Sequence, residues 1–184
     1  MTEQADLILL ETEERMQKTI EVLVKDFSQV RTSRANPALL DRISIDYYGA
    51  PSPIFQIASI TVVEGNQLYI KPFDKSILKQ IEHAIHASEL GLNPQNDGIG
   101  IRLILPQLTE QRRKELSKEV DKLGETAKIA IRNIRRDSND SIKKMGLTED
   151  DEKGYLNDIQ TLTDDFVKKI DEEVKIKTEE LMTI

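Results

Sequence analysis

No cysteine occurs in the 184 residues, which excludes disulfides and thiolate metal sites. Tryptophan is absent too, and aromatic residues amount to only 4%. Beside 32% charged residues, that scarcity argues against an all-β sandwich and for exposed helices. Long apolar runs are missing. Near the N-terminus only Leu7 to Leu10 is continuous, with acids on both sides, so neither a signal peptide nor a membrane span is expected. The reading is therefore cytoplasmic, with no membrane contact. The signatures of serine hydrolases, zinc proteases and P-loop nucleotide binding are also missing. Gly98-Ile99-Gly100 lacks the third glycine of a dinucleotide loop. His83 and His86 are the only histidines, three apart; no third ligand is signalled, so no metal site is expected. Neither a cofactor nor catalysis is expected. The chain should bind.

What is present is charge, unevenly placed. The formal net charge is -7. Residues 1–30 carry three basic and seven acidic groups, and residues 146–184 carry five and twelve. Residues 106–145 reverse the balance, with eleven basic and seven acidic groups. An acidic chain repels polyanions, so its one basic segment stands out as a local contact. Lys128, Arg132, Arg135, Arg136, Asn139 and Lys143 fall within an arc of about 100° on a helical wheel. The apolar series of the same helix is centred roughly opposite, so the stripe is expected to face outward. Arg136 can reach Asp140 at i+4, whereas Arg132 and Arg136 repel at that spacing by roughly 0.2–0.5 kcal/mol. Arginine is the better fork for phosphate. Arg112-Arg113-Lys114 adds cations in a first helical turn, where they oppose the helix dipole. A solvated helix face would explain these charges; phosphate or RNA contact explains the arginines better.

The apolar periodicity gives the frame. Met16, Ile20, Leu23, Phe27 and Val30 form one helical seam, ending before Pro37. Leu116, Val120, Leu123, Ala127, Ala130 and Ile134 form a second. Leu156, Ile159, Leu162, Phe166, Ile170 and Val174 form a third, begun by a capping box at Thr148. Between the first two seams the pattern alternates. A strand over Ile43–Tyr47 should meet a turn at Gly49-Ala50-Pro51. A hairpin should join Ile57–Val63 to Gln67–Lys71. A helix capped by Asp74 should stop at Gly91, and a last strand should close at Pro106. The fold class expected is α+β: a three-helix bundle from 1–33 and 107–184, with a small β/α/β domain inserted at 34–106. The chain crosses between the parts twice. A hinge is expected there, at Arg31, Ser33 and Arg34 and at Pro106 and Gln107.

Three stretches carry a resemblance. RTSRANPALLDRISIDYYGAPSP (31–53), ASELGLNPQNDGIGIRLILPQLTEQRRKEL (87–116) and AIRNIRRDSND (130–140) are similar to bacterial ribosome recycling factor, in the same order and spacing. The resemblance implies an L-shaped pair of domains joined by a flexible double hinge. It implies that the factor enters the post-termination ribosome and that the bundle binds large-subunit ribosomal RNA. Elongation factor G, using GTP, then drives subunit separation. Arg113, Arg132 and Arg135 match family arginines that contact ribosomal RNA; Arg136 and Asn133 lie in the same motif, and Lys128 shares the stripe. Arg31 and Arg34 match the family's first hinge motif. The link Lys144–Thr148 is a few residues shorter than in many members. A monomer is expected.

The competing reading is a helical adaptor that docks a protein partner through acidic helix faces. It would need an apolar patch left over once the three seams have paired, and the sequence displays little such surplus.

Overall fold

The computed structural model describes residues 2–32 and 34–183. They group into two compact units, one of residues 2–27 with 114–183 and one of 28–32 with 34–113. The division falls a few residues to the bundle side of the expected one, because the segments 28–32 and 107–113 cluster with the β-containing unit.

The first unit consists of helices. α1 is Thr2–Gln29, α4 is Glu110–Lys143 and α5 is Glu149–Met182. Each buries one stripe at helical spacing. Met16, Ile20, Leu23 and Phe27 come from α1; Leu116, Val120, Ala127, Ile131, Ile134 and Ile142 from α4; Ile159, Phe166, Ile170 and Leu181 from α5. The seam of α4 differs from the expected one. Leu123 and Ala130 are only half-buried, and Gly124, Ile131 and Ser138 take the buried positions. The reason is close packing. A Cβ at Gly124 would lie 2.6 Å from Cγ2 of Val174, so only glycine lets α4 approach α5 there. A polar layer sits in the same core. The buried hydroxyls of Thr12 and Ser138 are 2.5 Å apart, and Thr12 donates to the carbonyl of Ile8. The α4–α5 link is short and defined: Gly146 takes φ 70°, and Thr148 accepts from the N–H of Asp151 as the N-cap of α5. Four acids follow in the first turn of α5, where the helix dipole favours them.

The second unit is a sheet packed on a helix. β3 (Ala58–Val63), β4 (Gln67–Pro72), β5 (Gln95–Asn96) and β6 (Ile101–Ile104) form an antiparallel sheet in the order β3-β4-β6-β5. Leu68, Ile70, Ile101 and Leu103 point to one face and meet Ile81 and Ile85 of α3 (Leu78–Ala87) in a single apolar cluster. The helix expected from Asp74 to Gly91 is split. Asp74 caps a 3-10 turn at Lys75–Ile77, and the α-helical part ends at Ala87.

The turn expected at Gly49-Ala50-Pro51 lies one residue earlier. Tyr48 and Gly49 both have positive φ, the two-residue turn that matches strand twist. Ala50–Pro53 then returns as β2 beside β1 (Ser44–Tyr47). Its two prolines disguise it as loop, and they are tolerated because β2 pairs only with β1. A four-residue helix, α2 (Ile54–Ile57), connects it to β3. Among the described residues no helix is long and apolar enough to cross a membrane.

Candidate nucleic-acid interface

α4 carries the stripe. Because its buried face is centred on Gly124, Ala127, Ile131, Ser138 and Ile142, that face lies roughly 110° from the arginine stripe. The stripe therefore flanks the seam, where the sequence placed it opposite. This splits its members. Arg132, Arg136 and Lys143 are exposed, whereas Lys128, Arg135 and Asn139 are half-buried along the α5 side.

Lys128 is engaged inside the bundle. Its Nζ lies 2.5 Å from Asp171 of α5 and 3.7 Å from Glu125, and its side chain is only 18% exposed. The hydrogen bond to Asp171 raises its pKa, against the opposing effect of burial. This lysine joins α4 to α5 and has little left to offer a phosphate.

The arginines are different. Among the described residues, Arg132, Arg135 and Arg136 form no ion pair. Asp137, their nearest acid in sequence, is drawn away to Arg15 of α1 at 3.1 Å. Asp140, within reach of Arg136 on the wheel, does not pair with it either. Arg132 and Arg135 share a groove of about 480 Å³ with Gln160, Asp164, Lys168 and Asp171 of α5. Arg135 Nε and Asn139 Oδ1 are shut off from solvent with no hydrogen-bond partner, a cost of about 1–3 kcal/mol for each such group. Such an arrangement offers planar cationic forks along the rim of a groove, the geometry that suits phosphate oxygens.

Arg113 lies in the first turn of the same helix but belongs to the second unit. Thr109 starts that helix, accepting at Oγ1 from the N–H of Arg112 and at its carbonyl from the N–H of Arg113. Arg113 is half-buried, and its Nε also lacks a partner. Arg31 is half-buried as well. Burial, and then the like charge of Arg112, lower its pKa from the usual arginine value, and its Nε is unsatisfied. So the second unit has its own crowded cations, and Arg31 joins them as the sequence alone did not show.

Of the other crossing residues, Arg34 is exposed, with its N–H donating to Thr32 Oγ1 at 3.2 Å. Pro106 and Gln107 are exposed between β6 and α4. Ser33 lies outside the described residues. Next to these residues the backbone is bonded within the second unit: Ala35 N–H donates to Gly65 O at 2.8 Å, and Leu105 N–H to Asn66 O at 2.8 Å.

Comparison with known proteins gives the family. The family model for ribosome recycling factor matches residues 23–182. The ribosome-recycling factor of Acholeplasma laidlawii is 61% identical over 184 residues, covering all of both chains. That of Streptococcus mutans is 51% identical, covering 98% of this chain and 100% of the relative. A solution structure of the ribosome recycling factor superposes with a TM-score of 0.80 at 38% identity, covering 98% of each chain. A chain from models for the T. thermophilus ribosome recycling factor and the E. coli elongation factor G bound to the E. coli post-termination complex gives a TM-score of 0.68 at 41% identity, covering 97% of this chain and 99% of that one. With matches that run essentially end to end, in sequence and in fold, the chain belongs to the ribosome recycling factor family.

Proposed function

We propose that this chain binds the post-termination ribosome and, with elongation factor G and GTP, promotes its splitting into subunits. In this reading the bundle contacts ribosomal RNA of the large subunit through Arg132, Arg135 and Arg136, with Arg113 contributing from the start of the same helix. Lys128 serves the bundle. The chain catalyses nothing itself and works in the cytoplasm; GTP is hydrolysed by the elongation factor. The reading keeps Arg31, Ser33, Arg34, Pro106 and Gln107 as the hinge segments; the compact units divide a few residues away, after Phe27 and before Lys114.

The observation that carries the proposal is the set of three arginines with no internal ion pair on the outer flank of α4. Three guanidinium groups that repel one another gain most from an external polyanion. The partner's own charge then decides the affinity and makes it salt-dependent.

Co-sedimentation with large subunits over a salt series tests it. The double substitution Arg132→Glu with Arg135→Glu should weaken binding and flatten the plot of log affinity against log salt by roughly one unit per lost phosphate contact. Helix content should not change, since Arg132 is exposed and Arg135 has no partner to lose. Subunit splitting, followed by light scattering with a matched elongation factor G and GTP, should fail in the same variant. Wild-type co-sedimentation by the double variant would remove the RNA role from the stripe.

A further inference from the structure

An apolar groove lies on the side of α4 away from the arginines. Val22 and Leu23 of α1 and Leu123, Ala127 and Ala130 of α4 line a cavity of about 300 Å³. Val22 is 59% exposed. A second depression adjoins it and shares Lys18; it is lined by Leu10, Glu13, Glu14, Gln17 and Glu21 of α1. Leu10 is 54% exposed. Among the described residues, Glu13, Glu14 and Glu21 pair with no cation. The apolar surplus that the sequence concealed is therefore real, and unneutralised carboxylates border it.

The two features together select a partner. Glu13, Glu14 and Glu21 outnumber Lys18, which lines both depressions, and this excess of negative charge repels a phosphate backbone and attracts a cation. An apolar cavity this size takes one or two aliphatic side chains. From Leu10 to Asp26 the face runs about 24 Å along α1, the length of a helix of some four turns. We propose that this face of α1 and α4 docks a basic amphipathic helix of a protein partner, its apolar side chains in the groove and its lysines or arginines over Glu13, Glu14 and Glu21. A second copy of the chain fits poorly. Its own α1 would bring like carboxylates together, and its arginine stripe offers no apolar anchor.

The probe is an 18-residue Leu/Lys peptide with helical periodicity, labelled for fluorescence anisotropy, and titrated into the full chain. A peptide of equal charge with serine for leucine is the control. The Leu/Lys peptide should bind, with amide shift changes confined to about residues 10–26 and 123–130. Leu10→Asn with Val22→Asn should weaken it about tenfold, and so should Glu14→Gln with Glu21→Gln. All four positions are exposed, so the fold persists. Arg132→Glu with Arg135→Glu should not weaken it. Equal binding by the serine control, or no loss in the Leu10/Val22 variant, would overturn the proposal. So would self-association of the chain that the peptide fails to compete. A photoreactive phenylalanine placed at Val22 on post-termination ribosomes gives an independent arm. Protein adducts that survive ribonuclease are expected; adducts to RNA alone, or none, count against the groove as a protein-docking face.

Discussion

Replacing Gly124 by alanine sets two effects of known size against each other. A mid-helix glycine costs about 0.8–1.0 kcal/mol relative to alanine, so the substitution should stabilise an isolated helix. In this bundle the new methyl would stand 2.6 Å from Cγ2 of Val174, with the next contact, Cγ2 of Ile170, at 3.9 Å. Ordinary contact begins near 3.4 Å, so one atom accounts for the whole conflict. Val174 cannot swing aside cheaply, because valine in a helix has essentially one χ1 rotamer. Overpacking of this kind costs about 1–3 kcal/mol. The packing term wins, and Gly124→Ala should destabilise the protein by about 1 kcal/mol net.

The conflict gives a sharper test in a second background. With Val174→Ala the offending Cγ2 is gone, and the nearest remaining atoms, Cγ2 of Ile170 and Cβ of residue 174, are 3.9 and 4.0 Å away, in ordinary contact. Gly124→Ala should then stabilise by nearly the full helix propensity, about 0.8 kcal/mol. The sign of the same substitution flips between backgrounds, a coupling of about 2 kcal/mol in a double-mutant cycle. Urea unfolding followed by circular dichroism at fixed temperature reads all four proteins. If Gly124→Ala stabilises the wild-type background, or if the two substitutions are additive, the close approach of α4 and α5 is not what holds glycine at this position.

Other perturbations have equally definite outcomes. Thr12→Val strands the hydroxyl of Ser138 in the core and should cost about 1–3 kcal/mol, whereas Thr12→Val with Ser138→Ala removes both partners and should cost clearly less; chemical denaturation compares them. Asp171→Asn loosens the Lys128 contact and should lower stability by about 0.2–1 kcal/mol while leaving binding to large subunits unchanged; reduced binding would restore Lys128 to the interface. Gly100→Ala drives a methyl to 2.6 Å from the Tyr69 ring and 2.7 Å from the backbone carbonyl of Ile70, so it should destabilise the β-containing unit by several kcal/mol, visible as early loss of its amide protection. Tyr155 donates to Asp6 Oδ1 at 2.6 Å, and that bond pushes its pKa up to about 12, above the usual 10.0. The neutral phenol is the favoured form. Its stabilising effect is thus full below pH 10 and is lost as pH rises through 12; the tyrosinate absorbance missing from Tyr155→Phe should fall nearer 10 in Asp6→Asn.

The sequence showed the helices because three long apolar series admit no other period, and it showed the β3–β4 hairpin because Glu64-Gly65-Asn66 sits between β-rich runs. It hid β2, since two prolines in four residues mimic a loop until a lone partner strand excuses them. It also misled at α4. Leu123 and Ala130 are the more apolar choice on paper, but Gly124 fixes the contact with α5 and turns the helix so that Ile131 and Ser138 point inward. A glycine that permits close packing has no hydrophobic signature, so periodicity overlooked it. That one rotation explains the two errors at the site. It moved Lys128 and Arg135 from the outer face to the edge of the seam, and it left Leu123 and Ala130 lining a groove instead of filling the core.

The rotation also gives α4 a division of labour. Its seam holds the bundle together; one flank presents arginines, and the other presents an apolar groove beside unpaired carboxylates. Had the stripe stood opposite the seam, its arginines would be fully solvated, on long stems free to wander. Set at the edge, Arg135 rests half-buried against α5 and loses side-chain freedom before any ligand arrives. Ordering a long side chain on binding costs roughly 0.5–1.5 kcal/mol, so part of that cost is met by folding. The same geometry keeps the acidic flank of α1 on the far side of α4 from the arginines, where it neither neutralises them nor repels the polyanion they are placed to meet. If this is right, shifting the seam should weaken RNA binding without removing a single arginine. Gly124→Ala, whose methyl pushes α4 away from α5, should therefore lower affinity for large subunits, and Val174→Ala should restore it. Unchanged affinity in Gly124→Ala, despite the loss of stability, would mean that the arginines work independently of how closely α4 packs.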